Sequence, residues 1–189
     1  GICELNRAVQ LNPDDAEIHF NLGGVYMLQD SFEAASREFQ KVVDLDPTDT
    51  LAYANLAASL DMRGMYAEEI QVLKKVLMFS QDDMELRAAL SCAYFNEGDF
   101  DEALVAAQVV ADMNENDPMA HCNLGSIYSA KNIVEEAILS FINAMERDPE
   151  SSIPHTNLGS LYGSLNKVEN AIKEFKFATD LNPSDVNAW

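Results

Sequence analysis

The chain has 189 residues, 48% of them apolar, and sets 12 lysines and arginines against 32 aspartates and glutamates for a formal net charge of −20. So few scattered bases cannot neutralise a phosphate backbone, which argues against nucleic acids and anionic membrane surfaces as partners and favours basic ones through long-range attraction. No run of eighteen apolar residues is available to span a bilayer.

Taken in chain order, the sequence repeats a 34-residue phrase five times without insertion or deletion. Residues 16–49 carry Leu22, Gly23, Tyr26, Ala35, Phe39 and Pro47. Residues 50–83 carry Leu56, Ala57, Leu60 and Leu73 in the same register, with Glu69 in the alanine slot and Gln81 in the proline slot. Residues 84–117 carry Leu90, Ser91, Tyr94 and Ala103, with Ala107 in the aromatic slot and Glu115 in that of proline. Residues 118–151 return to Leu124, Gly125, Tyr128, Ala137, Phe141 and Pro149, and residues 152–185 to Leu158, Gly159, Tyr162, Ala171, Phe175 and Pro183. A period of this length marks a stacked helical array.

The spacing within each unit predicts two amphipathic helices of about twelve to fourteen residues. A small residue such as Gly125 lets the partner helix approach, and a ring such as Tyr128 or Phe141 fills the space beside it. Asp30, Gly64, Gly98, Asn132 and Asn166 fall between the two helices, where a left-handed residue ends the first. Pro13, Pro47, Pro149 and Pro183 stop the second helix. Asp49, Asp83, Asp117 and Asp185 precede each new first helix, where a carboxylate accepts from free N–H groups. The other acids keep the array soluble.

The pattern L-G-x-x-Y, A-x-x-x-F, P resembles the tetratricopeptide repeat. The resemblance implies an all-α, right-handed superhelical solenoid of antiparallel helix pairs. Residues 1–15 then match the second helix of a preceding repeat, 16–49, 50–83, 84–117, 118–151 and 152–185 are five full repeats, and 186–189 open a sixth with Trp189 at a position where the family often has Trp. All 189 residues read as one solenoid, a piece of a longer array.

The resemblance further implies that first helices line a concave, peptide-binding groove. Asn21, Asn55, Asn123 and Asn157 share one groove position in four repeats, and Ala89 interrupts the row in the third. An asparagine offers a donor and an acceptor, so such a row either pairs with the backbone of an extended peptide or bonds within the array. It is similar to the asparagine ladder of O-linked N-acetylglucosamine transferase repeat domains. Phe20, Met27, Leu28, Met62 and Phe95 make the N-terminal groove bulky and apolar, suited to an apolar anchor or packed against neighbouring helices. Ser126, Ser129, Ser160, Gly163 and Ser164 make its C-terminal part small and polar. Cys92, Cys122 and Thr156 also fall on groove positions.

Cys3, Cys92 and Cys122 stand at three different repeat positions without a disulfide framework, which points to a reducing, cytoplasmic setting and to small packing residues. Groove placement leaves Cys92 and Cys122 a redox or soft-metal contact as the sharper alternative. His19, His121 and His155 share the register of Tyr53 and Trp189, a half-polar packing position. Equivalent positions lie about one helix-pair width apart, too far to share a metal without further ligands. With no phosphate loop and no nucleophile–base constellation, no cofactor, metal site or catalysis is expected. Family cochaperones that hold a terminal carboxylate use basic residues where Phe20, Glu85 and Ala89 stand here, and only Asn55 of that set remains.

The expected function is a non-catalytic scaffold that binds a protein or peptide and assembles a complex. The alternatives are the recruiting arm of a larger enzyme, such as a glycosyltransferase, and a self-associating structural module. Glu69 at a close-packing point should loosen the junction between the second and third repeats, or alter the curvature there, unless its carboxylate finds water or a partner.

Overall fold

The computed structural model describes residues 1–183, so the Asp185 cap and the sixth-repeat opening at 186–189 lie outside the described residues. Among the described residues there are eleven helices and no strand. They fall into two compact units, Gly1–Gly98 and Asp99 onward, which divide at the turn inside the 84–117 repeat. The first unit holds α1 (Ile2–Leu11), α2 (Ala16–Met27), α3 (Phe32–Leu45), α4 (Thr50–Asp61), α5 (Tyr66–Leu77) and α6 (Met84–Glu97). The second holds α7 (Phe100–Met113), α8 (Pro118–Ala130), α9 (Val134–Arg147), α10 (Ile153–Ser164) and α11 (Val168–Leu181). Within each unit, consecutive helices joined by short turns pack as antiparallel neighbours. No described helix is long and apolar enough to cross a membrane.

The helix ends follow from single residues. Each first helix gives way to a left-handed residue: Asp30 (φ 54°), Gly64 (67°), Gly98 (94°), Asn132 (58°) and Asn166 (57°). These are the five positions read from the sequence, and all have short polar side chains or none. Asp49, Asp83 and Asp117 accept from the amides of Ala52 (2.9 Å), Leu86 (3.0 Å) and Met119 (2.9 Å). Asp15 does the same for Glu17 and Ile18 at 3.1 and 3.2 Å. Helices α3, α9 and α11 stop just short of Pro47, Pro149 and Pro183. In the second repeat α5 ends early, at Leu77, and the amides of Phe79 and Ser80 close back on the Val76 carbonyl at 2.9 and 3.0 Å.

The core is a series of contacts between a small residue and a ring. A methyl group added at Gly23 would lie 2.8 Å from the Phe39 ring, at Gly125 2.6 Å from Phe141, and at Gly159 2.8 Å from Phe175. The rings rest on bare backbone, and Phe39 and Phe141 are fully buried. In the second repeat the sizes shift together: Ala57 stands for glycine and Leu73 for phenylalanine, both buried. Ala35, Ala103, Ala137 and Ala171 are buried on the second helices, as their slot requires. In the second unit Phe141, Ala137, Leu158 and Leu161 form one cluster, edged by Tyr128, Ile138, Met145, Tyr162 and Leu165.

Overpacking of this kind costs about 1–3 kcal/mol. Gly125→Ala should therefore lower stability by about that much in urea denaturation followed by helical ellipticity. Adding Phe141→Leu, which reproduces the Ala57–Leu73 pairing, should restore most of the loss; a double variant no better than the single one would contradict the size compensation.

Candidate functional site

Each first helix has a buried face; helix α4, for example, buries Ala52, Tyr53, Leu56, Ala57, Ser59 and Leu60. The asparagines stand on the solvent-facing strip of their helices, each next to a buried leucine (Leu22, Leu56, Leu124, Leu158). Asn21 is exposed and Asn123 half-buried, and neither amide hydrogen-bonds to another described residue. Asn55 Nδ2 donates to the Leu51 carbonyl at 2.8 Å, so this amide is partly used by its own helix. Asn157 Nδ2 reaches Ser126 Oγ at 3.5 Å, across from α10 to α8.

In the second unit Asn157, Ser126 and Ser160 line a single cavity of about 210 Å³, together with Ser129, Phe141, Leu161 and Ser164. The hydroxyls of Ser126, Ser160 and Ser164 donate to the carbonyls of Cys122 (3.0 Å), Thr156 (3.0 Å) and Leu161 (2.8 Å). Their oxygens therefore offer lone pairs to the cavity, while the asparagines offer N–H groups.

The apolar candidates separate by depth. Leu28 and Met62 are 86% and 57% exposed and present free apolar surface. Met27 and Phe95 are half-buried. Phe20 meets Phe39 edge-to-face, with centroids 5.6 Å apart, so its ring serves the core contact at Gly23. In the second unit Met119 and Ile153 are exposed apolar groups on helices that also carry the small serines. Two groove assignments need correction: Cys122 and Thr156 are buried. Burial, then the Asp117 and Asp148 carboxylates, push the Cys122 thiol up to about 11, so it supplies no thiolate for redox or metal chemistry. Cys3 and Cys92 are exposed.

At three of the five first helices the histidine position latches the loop that precedes the helix. His121 Nε2 lies 3.0 Å from the Glu115 carbonyl, and Arg87 Nε donates to the Gln81 carbonyl at 2.8 Å. In each case the acceptor is the residue in the proline slot, so the latch survives where proline is absent. His19 makes the same contact to Pro13 O (2.9 Å) and adds Glu38 Oε2 at 2.6 Å on Nδ1. His155 pairs with Glu174 at 2.8 Å. Arg87 escaped the sequence reading because it shares the position but not the residue type; the glutamate partners sit on the second helix, beyond any local pattern. Among the described residues no three His, Cys, Asp or Glu side chains gather to hold a metal ion.

Both ring nitrogens of His19 face acceptors, an arrangement only the imidazolium satisfies. Burial alone would lower its pKa, but the Glu38 carboxylate and the Pro13 carbonyl outweigh it and the net shift is upward from 6.5. A raised folded pKa stabilises fully below the unfolded value and is lost as pH rises through the folded value. The melting temperature difference between the native chain and His19→Tyr, which places the Tyr53 residue type there, should be largest near pH 5.5 and shrink above neutrality. A pH-independent difference would refute the charged latch.

Register, helix lengths, left-handed turns and small-on-ring packing together define a helix-pair repeat protein. Three models described as Tetratricopeptide repeat match residues 4–60, 88–152 and 154–185, and the chain belongs to that family. The gap between the first two matches contains Glu69 and Gln81. Among solved structures it is similar to YrrB, a TPR protein with an unusual peptide-binding site, at 23% identity over 97% of this chain and 95% of that one, TM-score 0.70. It is similar to MamA from Desulfovibrio magneticus RS-1 at 20% identity over 90% and 97%, TM-score 0.78. A chain of the APC/C hetero-tetramer Cut9-Hcn1 matches at 22% identity over 97% of this chain and 37% of its own length, TM-score 0.76. At these identities the likeness is one of fold. No curated protein matches the sequence.

Proposed function

We propose that the chain is a protein-interaction scaffold that binds an extended peptide segment along the exposed strips of α2, α4, α6, α8 and α10. The observation that carries this reading is the cavity shared by Asn157, Ser126 and Ser160. It sets donors beside acceptors, with the Phe141 and Leu161 side chains alongside, which matches the alternating N–H and C=O groups of an extended chain. The unbonded amides of Asn21 and Asn123 support it, because no internal hydrogen bond has to break for a ligand to use them. Leu28, Met62, Met119 and Ile153 offer footholds for apolar side chains on the same strips. The net charge of −20 favours a basic ligand through faster, salt-sensitive association.

Each hydrogen bond lost should cost roughly 0.5–1.5 kcal/mol. A peptide ligand, once isolated by pull-down and mapped to the groove, should bind Asn123→Ala/Asn157→Ala about ten- to a hundredfold more weakly in calorimetry, with helical ellipticity unchanged. Affinity within twofold of the native chain would remove the asparagine row from the binding surface.

A further inference from the structure

Two of the departures from the repeat pattern, Glu69 and Ala89, meet in one place. Glu69 occupies the slot that Ala35, Ala103, Ala137 and Ala171 fill elsewhere, and it is only 4% exposed. Its Oε2 finds no hydrogen-bond partner among the described residues. The carboxyl lines a cavity of about 330 Å³ in the first unit, a volume at the lower end of the range for ligand pockets. Ala54 and Ala58 of α4 and Ala89 of α6 wall the cavity with methyl groups, and Ala89 leaves open the space that an asparagine of the row would take.

Every titratable group facing the cavity is an acid: Asp61 from α4, Glu69 from α5, and Glu85 and the Cys92 thiol from α6. The first unit's nearby cations are engaged elsewhere. Arg63 donates to Ser36 Oγ at 2.8 Å, Arg87 to the Gln81 carbonyl, and Lys74 and Lys75 lie over the Tyr94 and Tyr53 rings at 5.2 and 5.4 Å. A buried carboxylate without a partner is costly, and the cavity beside it is open to one from outside.

We propose that this pocket takes the guanidinium of an arginine side chain carried by a bound peptide, with Glu69 as its buried acceptor and Asp61 and Glu85 at the mouth. The acids do not converge as a metal site would require. A planar, weakly hydrated guanidinium brings its own fork of donors and tolerates alanine walls better than an ammonium does. The pocket thereby gives the scaffold a preference at one ligand position; in this it rests on the peptide-binding reading above.

Burial, then repulsion from Asp61, hold the Glu69 carboxyl up at about 7. An arginine pairs with the ionised form, so binding should strengthen as pH rises towards that value, with a tenfold loss per unit well below it. The same raised pKa means that the folded state draws its full benefit from this group below pH 4.5 and loses it as pH climbs to about 7.

The test uses N-acetyl-arginine amide, with N-acetyl-citrulline amide as its neutral isostere, followed by amide NMR shifts at Ala89 and Cys92. The arginine amide should bind in the millimolar range expected of so small a ligand, and more than tenfold tighter at pH 8 than at pH 5.5. Citrulline amide should not bind, and Glu69→Gln, which keeps shape and removes charge, should weaken arginine amide at least tenfold while raising thermal stability more at pH 8 than at pH 5. Equal binding of the two amides, or undiminished binding to Glu69→Gln, would overturn the proposal. Asn123→Ala/Asn157→Ala should bind the amide normally. Failure of the amide with peptide binding intact would sink the pocket alone, whereas amide binding without any groove ligand would sink the scaffold reading alone.

Discussion

A phenylalanine ring packed directly against a glycine of the facing helix is the contact on which the rest of this structure depends. It sets how closely the two helices of a repeat approach, because any added carbon at Gly23, Gly125 or Gly159 would enter the ring. Close approach in turn commits one face of the first helix to packing. The other face is where polarity is cheap and side chains are held by well-packed neighbours. On the proposed peptide-binding reading, packing leaves only that face for contact with a ligand. The second repeat shows that the constraint acts on summed volume rather than on residue type, since Ala57 and Leu73 satisfy it with redistributed atoms.

Features that depend on position within a repeat were legible in the sequence. The left-handed residues, the aspartate caps, the small slots and the helix lengths follow from the local chain and recur at one spacing, so each copy corroborates the others. Features that depend on what covers a residue were not. Phe20 reads as groove surface on a helical wheel, yet its ring turns to Phe39. Cys122 and Thr156 lie at angles similar to those of Ser126 and Ser160, but the former pair is buried and the latter is not. A period gives the angle of a side chain around its own helix and says nothing of the depth of the neighbour above it. The bonds from His19 to Glu38 and His155 to Glu174 escape for the same reason, since each joins two helices whose relative rotation no local pattern records.

The irregular stretch around Glu69 shows how an array accommodates a residue that breaks its own rule. The chain neither repacks around the carboxylate nor exposes it; α5 shortens and a cavity remains. A local violation with no compensating contact inside the fold is the kind of site where stability and function are in tension. It coincides with the one internal stretch that the family models leave unmatched, so the departure is a property of several neighbouring residues together.

A surface built by translation has an indexing problem. If one repeat can hold a segment of a ligand, so can its neighbour in the same unit, and choosing among a few similar footholds is worth less than about 1 kcal/mol of mixing entropy. Such a ligand could shift along the array at almost no cost, and two partners bound to it would have no defined separation. Only one of the alanine slots in the sequence carries an acid. On the proposed arginine-pocket reading, the misfit at Glu69 would act as an origin mark: it makes one foothold unlike the others and so would fix the frame in which a bound chain is counted.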